Sequence, residues 1–447
     1  MGIILDLAED LWSGRKDTYT EHPWAIPHGI EKIKEKTWVY KAFANTIIRE
    51  TDDGLVIVDP AGVMDAKSKY KGIRSVTSQR LNTAIFTHGH VDHIASVERY
   101  IKEAKKRDWT PPKVIAHELV PKRFDRYRES APWNDYINGR QFLGGKENPT
   151  FRLLKDKYVY PDITFSDKKS INVGGVNVYM HHTRGETDDA IWVYFPDDTI
   201  LCTGDLFIWG VPNAGNPQKV HRYAKEWAIG LREMAALDPK PKILIPGHGV
   251  PIIGEDRVRQ ALDDTASLLE ILHDRTVELM NDGKNLNTVL HSIKVPEDLL
   301  DKPYLHPIYD EPEFILRNIW RLYGGWWDGQ FAELKPAPLK EQADEYTKLA
   351  GGARNLAKRA GELLSNKNYR LACHLAEWAY ISSPDDEEVR DIASRVFLER
   401  AKIEPSTMAM GIYITAARTM GANIEEEMPG NSVVLVQKNR GKKLKLQ

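Results

Sequence analysis

Thr87-His88-Gly89-His90-Val91-Asp92-His93 follows directly on the apolar run Thr83-Ala84-Ile85-Phe86. The run reads as a buried strand bounded by Asn82. Four potential metal ligands then fall within six residues. His88 and His90 stand two apart, so an extended turn projects both to the same side, where they can share one ion. Asp92 and His93 come one step later, as the chain enters the helical pattern Ile94–Lys106, and can serve a second. Imidazole with carboxylate suits zinc, with iron and manganese as poorer fits. A histidine pair alone is a weak signal; H-x-H-x-D-H after a hydrophobic strand is a specific one.

The chain around this stretch has 447 residues, enough for two or three domains. Hydrophobic residues make up 42% and charged residues 28%, the balance of an ordinary globular protein. A formal net charge of −2 supplies no basic field for nucleic acid or an anionic membrane. Cys202 and Cys373 lie far apart, so a disulfide framework is not expected and a reducing compartment is allowed. The N-terminus, Met1 to Asp10, has no basic region before a short apolar run, and no stretch reaches the length of a membrane span. The expectation is a cytoplasmic protein with no stable membrane anchor.

Residues 1–36 look mixed and partly irregular, broken by Pro23 and Pro27. Trp38–Ile48 reads as one strand, and Leu55–Asp59 as the next. A helix over Met64–Val76 leads into the histidine strand, and Val114–Ala116 follows as another. Further strands are expected at Val176–Met180, Ala190–Phe195, Thr199–Cys202 and Ile243–Ile245, and a long amphipathic helix at Arg257–Met280. β-Branched strands alternating with helices predict two sheets covered by helices. From Glu118 to Thr150 periodicity is lost, and basic residues (Lys122, Arg123, Arg126, Arg128, Arg140, Lys146) mix with Tyr127, Trp133, Tyr136 and Phe142. A loop of this length is either a lid over a site or a surface excursion.

Composition shifts near Asp282, and from Glu345 the pattern is helical. Helices are expected at Leu349–Leu364, at Tyr369–Tyr380, and from Pro384 through Phe397. Ala372, Ala376 and Ala379 permit tight helix contact in a hairpin like a tetratricopeptide unit. One such unit must pack on the main domain or on a second subunit. The tail 430–447 is basic, with Val433–Val436 as a candidate edge strand. The expected boundaries are 1–282 for a catalytic domain, 283–344 for a connecting segment, 345–425 for a helical domain and 426–447 for the tail.

Three later strand ends offer ligands: Glu186 in Thr183–Thr187, Asp205 in Leu201–Asp205, and His248 in Ile245–Gly249. With these, residues 30–260 resemble the metallo-β-lactamase fold superfamily. The resemblance implies an α/β fold, an αβ/βα sandwich, here followed by an all-α domain. It implies that His88 and His90 hold one metal, that Asp92, His93 and His248 hold the other, and that Asp205 bridges them. Asp59 matches an aspartate that supports the metal loops through hydrogen bonds. Most of the superfamily has histidine where this chain has Glu186, and His181 and His182 stand several residues too early to replace it. Glutamate there is similar to the type III alkylsulfatases. Tyr323-Gly324-Gly325-Trp326-Trp327-Asp328-Gly329 resembles their Gly-Trp-Tyr-Asp-Gly segment, and Leu349–Ala353 begins a region like their dimerisation domain. Tyr136-Ile137-Asn138-Gly139-Arg140 resembles a stretch over their site, which extends the likeness to about residue 420.

The chain also departs from that family. Gly204-Asp205-Leu206 stands for Ala-Glu-Asn, and Pro246-Gly247-His248-Gly249 for His-x-Trp-Pro. The region of the sulfate-holding arginine reads Asn216-Pro217-Gln218-Lys219-Val220, with Lys219 the nearest cation. The family's C-terminal sterol-carrier-like domain has no counterpart in the sequence.

The resulting expectation is a binuclear zinc-dependent hydrolase with two Zn²⁺ per chain, Mn²⁺ or Fe²⁺ being alternatives. Two ions lower the pKa of a bridging water, making a metal hydroxide the nucleophile. The resemblance implies that Asp92 is both ligand and proton acceptor. No G-x-S-x-G elbow and no phosphate-cradling glycine loop is present. Alkyl sulfates or a related anionic ester are the expected substrates; the alternative is a non-sulfate ester, lactone or amide. Tyr136, Asn138, Arg140 and Lys219 are the candidate substrate contacts, and a homodimer is the expected assembly.

Overall fold

The computed structural model describes residues 2–24, 29–62, 64–142, 145 and 158–428. Lys146, the basic tail and the expected strand Val433–Val436 lie outside them. The described residues form two compact units, one within Met1–Ala131 and Arg152–Gly325, the other within Pro132–Phe151 and Trp326–Gln447.

The first unit holds two sheets. One runs in the order β1 (Gly29–Lys34), β2 (Thr37–Lys41), β3 (Thr46–Thr51), β4 (Gly54–Val58), β5 (Leu81–Ile85), β6 (Lys113–His117) and β7 (Ile163–Phe165). It is antiparallel as far as β4 and parallel from β4 to β7. The other contains β8 (Lys168–Val173), β9 (Val176–His182), β10 (Ile191–Phe195), β11 (Ile200–Ile208), β12 (Ile243–His248) and β13 (Ile252–Ile253), in the reverse of chain order. Only β11 and β12 of this sheet pair in parallel.

Every residue of β4, β10, β11 and β12 is buried. Strands buried on both faces lose the alternation of a half-exposed strand and read as continuous apolar runs. Between the sheets lies a core of Ile47, Val58, Ile85, Val178, Ile191, Val193 and Ile245. Helices cover the outer faces. α1 (Ile3–Trp12), α2 (Ala66–Val76), α3 (Val97–Lys106) and α4 (Leu119–Glu129) precede the second sheet in the chain. α5 (Ala131–Phe142) crosses into the second unit, and α6 (Ala224–Ala235), α7 (Glu255–Asn281), α8 (Leu286–Ser292), α9 (Glu297–Leu300) and α10 (Pro312–Gly324) return to the first. Tyr100, Val120 and Phe124 pack with Ile57 and Phe86 on one outer face; Trp227, Leu231 and Leu269 pack with Trp209 and Leu244 on the other. This is the αβ/βα sandwich that the sequence resemblance implies. No described helix is long and apolar enough to cross a membrane.

Two sequence expectations are corrected. Trp38–Ile48 is two strands, β2 and β3, because Ala42–Asn45 forms a turn without a glycine or proline to announce it. The mixed segment 1–36 holds α1, whose Ile4, Leu7, Ala8 and Leu11 make a buried stripe, and strand β1, with irregular backbone after α1. Residues 118–150 are not a structureless loop, since α4 and α5 account for most of them. α4 turns Val120, Arg123 and Phe124 inward, so a charged residue fills one of its three buried positions and hides the apolar period.

The second unit is helical, with α11 (Leu339–Leu349), α12 (Ala353–Ser365), α13 (Tyr369–Ser382), α14 (Glu387–Ile403), α15 (Thr407–Thr419) and α16 (Ile424–Glu427). Ala360, Ala372, Ala376 and Ala393 are fully buried and let the helix axes approach closely. α5 belongs here: the Thr415 hydroxyl donates to the Arg140 carbonyl at 3.0 Å, and a Cβ on Gly411 would stand 1.8 Å from the Gln141 carbonyl oxygen.

Candidate metal centre

The turn after β5, the turn after β9, strand β11 and the end of β12 supply the candidate ligands. His88, His90, Glu186 and Asp205 bring one donor atom each within 4.8 Å of one another, and so do Asp92, His93 and His248. His88 Nε2 and His90 Nδ1 are 2.8 Å apart. His93 Nε2 lies 3.4 Å from Asp92 Oδ2 and 3.3 Å from Asp205 Oδ1. His248 Nε2 lies 3.3 Å from Asp92 Oδ2 and 3.3 Å from Asp205 Oδ2, while His88 Nε2 is 3.7 Å from the latter. Asp205 thus faces both groups, one oxygen toward His93 and the other toward His88 and His248.

Other residues aim these side chains. Asp59 is almost sealed and sits at φ 52, a left-handed conformation that costs about 1 kcal/mol or more outside glycine. Its Oδ1 accepts the Thr87 backbone N–H at 2.8 Å; its Oδ2 accepts the Thr87 hydroxyl at 2.7 Å and meets His93 Nδ1 at 2.8 Å. His93 therefore presents Nε2 inward, as the resemblance implies for an aspartate in this role. His248 Nδ1 meets the Phe43 carbonyl at 2.7 Å and likewise presents Nε2. Buried Asp189 accepts the Gly89 N–H at 3.2 Å and Arg123 Nε at 2.7 Å, which fixes the His88–His90 turn.

Electrostatics separate two kinds of histidine. Burial pushes His88 down to about 4 and His90 well below its usual value, leaving neutral imidazoles. Burial also opposes charge on His93 and His248, but the surrounding carboxylates outweigh it and raise His248 to about 10. Burial alone would raise Asp92 and Asp205, yet these histidines hold both carboxyls well below the carboxylate range. His93 Nε2, Asp205 Oδ1 and Glu186 Oε2 are buried without a hydrogen-bond partner. Buried polar atoms left unpaired are costly, and a cation among imidazole and carboxylate donors satisfies all three, so the residues fit a metal centre.

The remaining sequence candidates fall in different places. Lys219 lies in the electrostatic range of Arg222, Glu186, Arg126 and Asp92, and burial lowers its ammonium to about 7. Tyr136, Asn138 and Arg140 stand on α5 in the second unit, where the Arg140 guanidinium bonds the Tyr136 hydroxyl. His182 stacks on His117 with centroids 3.8 Å apart and binds the Asp188 carbonyl; His181 faces Asp167 and Glu233. Neither histidine belongs to the clustered donors.

Sequence reasoning missed Arg222 and Asn213. Arg222 Nη1 donates to Glu186 Oε1 at 2.5 Å, and Asn213 Nδ2 donates to the same oxygen at 2.5 Å. Arg222 stands three residues beyond Lys219, outside the stretch Asn216–Val220. Tyr309 was missed too. Burial pushes its hydroxyl well up, and Glu186, Asp92 and Asp205 add to the shift. Its ring centroid lies 4.4 Å from that of Trp24, which is 5.0 Å from His248.

A two-sheet sandwich with this donor cluster along its strand ends defines a metallo-hydrolase fold. Residues 41–248 match the metallo-beta-lactamase superfamily and residues 285–423 match the alkyl sulfatase dimerisation family. The chain thus carries a metallo-beta-lactamase domain followed by an alkyl sulfatase dimerisation domain. It is 24% identical over 394 residues to a linear primary-alkylsulfatase of a Pseudomonas species, covering 85% of this chain and 74% of that protein. It is 24% identical over 416 residues to an (R)-specific secondary-alkylsulfatase of Pseudomonas, covering 87% of this chain and 62% of that protein. The solved structure of the stereoselective inverting sec-alkylsulfatase Pisa1 from Pseudomonas superposes with a TM-score of 0.77 at 22% identity, covering 88% of this chain and 66% of that one. That likeness establishes the fold. The chain spans between three-fifths and three-quarters of the length of these relatives.

Proposed function

We propose that this protein is a metal-dependent hydrolase of alkyl sulfate esters that works with two zinc ions, Mn²⁺ or Fe²⁺ being able to replace them. The observation that carries this reading is the convergence of seven imidazole and carboxylate donors in two groups, with Asp205 facing both. In this reading His88, His90 and Glu186 would hold one ion and Asp92, His93 and His248 the other, with Asp205 available to both. Two bound ions supply Lewis acidity and make a coordinated water nucleophilic near neutral pH. The chain's own residues do the rest. Asp59 and the Phe43 carbonyl orient His93 and His248. Asp92, the most exposed of the clustered carboxylates at 26%, accepts the proton of the attacking water. Lys219 supplies positive charge for the sulfate, and Tyr136, Asn138 and Arg140 contact the substrate.

The alkylsulfatase relatives favour sulfate over the other ester classes. Residues 1–282 then form the catalytic domain, 283–344 the connection and 345–425 the dimerisation domain of a cytoplasmic homodimer. The test is a panel of primary and secondary alkyl sulfates, carboxylic esters, lactones and amides assayed with metal-replete protein. Turnover confined to the alkyl sulfates is expected. Turnover confined to lactones, amides or carboxylic esters would replace the sulfate reading with the alternative one.

A further inference from the structure

Lys41 and Lys69 are both fully buried, which is rare for lysine. Lys69, on α2, has Asp65 Oδ2 at 3.3 Å; among the described residues Lys41 forms no ion pair. An ammonium in the interior costs several kcal/mol unless it is well satisfied, so its acceptors are informative. Lys41 Nζ donates to the Ala42 carbonyl at 2.8 Å and to the Trp24 carbonyl at 3.2 Å. Lys69 Nζ donates to the Ala44 carbonyl at 2.8 Å. The carbonyl between these two, that of Phe43, is the one that meets His248 Nδ1 at 2.7 Å.

Three successive carbonyls of the β2–β3 turn thus face Lys41, His248 and Lys69 in order. The next residue locks the turn to the end of β12. The Asn45 N–H donates to the Gly247 carbonyl at 2.8 Å, and its side-chain amide donates to the Pro246 and Gly249 carbonyls at 2.8 and 3.1 Å. The Phe43 ring stands edge-on to His248, with centroids 4.8 Å apart.

We propose that Lys41 and Lys69 are positioning residues for His248: they clamp the Ala42–Asn45 turn so that the Phe43 carbonyl keeps His248 Nε2 aimed between Asp92 and Asp205. The proposal rests on the metal-centre reading and adds to it a device the ligand pattern does not contain. Each Nζ carries several N–H donors, so one lysine head holds a turn carbonyl and a second acceptor at once: Ala42 and Trp24 for Lys41, Ala44 and Asp65 for Lys69. The two groups of donors depend on this clamp unequally. The Asp92, His93 and His248 group contains the clamped ring; the His88, His90 and Glu186 side is held instead through Asp189 and Arg222.

The experiment is a titration of Zn²⁺ into the metal-free full-length protein, followed by calorimetry, together with its thermal midpoint. Wild type, Lys69→Met, Lys69→Gln and Lys41→Met are compared. Wild type is expected to bind two equivalents. In Lys69→Met and Lys41→Met one equivalent should weaken by about 10- to 100-fold, the usual effect of removing a partner that orients a ligand. The other should bind as in wild type. Lys69→Gln keeps an N–H donor and should lose less than Lys69→Met. Loss of both equivalents by the same factor, or of neither, overturns the proposal, and so does failure of both Lys69 variants to fold. A wild type that binds no ion defeats the metal-centre reading itself, and the clamp with it.

Discussion

Glu186 and Arg222 form a buried ion pair, with Arg222 Nη1 2.5 Å from Glu186 Oε1 and each side chain no more than 4% exposed. The pair leaves Glu186 Oε2 as the oxygen available to the metal centre. It also changes the meaning of a glutamate at this position. Glu186 can add a negative charge that a histidine would not, although burial pushes its carboxyl up to about 8 in spite of Arg222. Arg222 restores the balance beside it. Removing one partner of a buried pair strands the other, which typically costs about 3–5 kcal/mol. Above about pH 8, where Glu186 is ionised, Arg222→Met should therefore lower the denaturation free energy of the metal-free protein by an amount of that order. The double variant with Glu186→Gln should recover part of the loss. A double-mutant cycle with no coupling would show that the pair does not hold Glu186 in solution.

The His248 imidazole carries a signed pH dependence. Burial opposes its charge, but Asp205 and Asp92 raise it from 6.5 to about 10. The folded metal-free protein holds that proton more tightly than the unfolded chain, so this stabilisation is full below about pH 6.5. It is lost as pH rises through about 10. The stability difference between wild type and His248→Gln, measured by denaturant titration of metal-free protein, should be largest near pH 6 to about 6.5 and fade toward about pH 10. A difference that grows with pH in this window would have the wrong sign.

Much of this donor cluster is legible in the sequence because several of its members are local. His88, His90, Asp92 and His93 share one turn, His248 ends the apolar run of β12, and Asp205 interrupts the apolar run of β11. Arg222 was not legible, since nothing in His221-Arg222-Tyr223 distinguishes a buried arginine from a solvated one. Its significance comes from the fold, which sets it against a residue 36 positions earlier. α4 was missed for a related reason: Arg123 occupies an inward position that the apolar period reserves for a hydrophobe. The β2–β3 turn was missed because Ala42-Phe43-Ala44-Asn45 carries no turn residue before Asn45.

Arg140 gives a test of the substrate contacts proposed on α5. A guanidinium can fork two hydrogen bonds onto sulfate, and loss of one charged hydrogen bond is worth about 1.5–3 kcal/mol. Arg140→Ala should raise KM for an alkyl sulfate by about tenfold or more, with metal content unchanged. An unchanged KM would remove Arg140 from the substrate contacts.

The second unit bears on assembly. Trp326, Phe331 and Leu349 are 71%, 89% and 84% exposed. Large apolar side chains left in water on one segment mark an interaction surface, in a region that matches a dimerisation family. Light scattering at micromolar concentration should give twice the chain mass, and Phe331→Glu with Leu349→Glu should shift the protein toward monomer. A monomeric wild type would contradict the proposed dimer.

The measurement that bears most directly on the proposed activity is the release of inorganic sulfate from a medium-chain alkyl sulfate by the purified protein, before chelation, after chelation and after Zn²⁺ is restored. The expected result is release by the metal-replete protein, none after chelation, and recovery as two equivalents of Zn²⁺ are bound. Sulfate release that survives complete removal of metal, or none from protein holding two ions, would contradict the account.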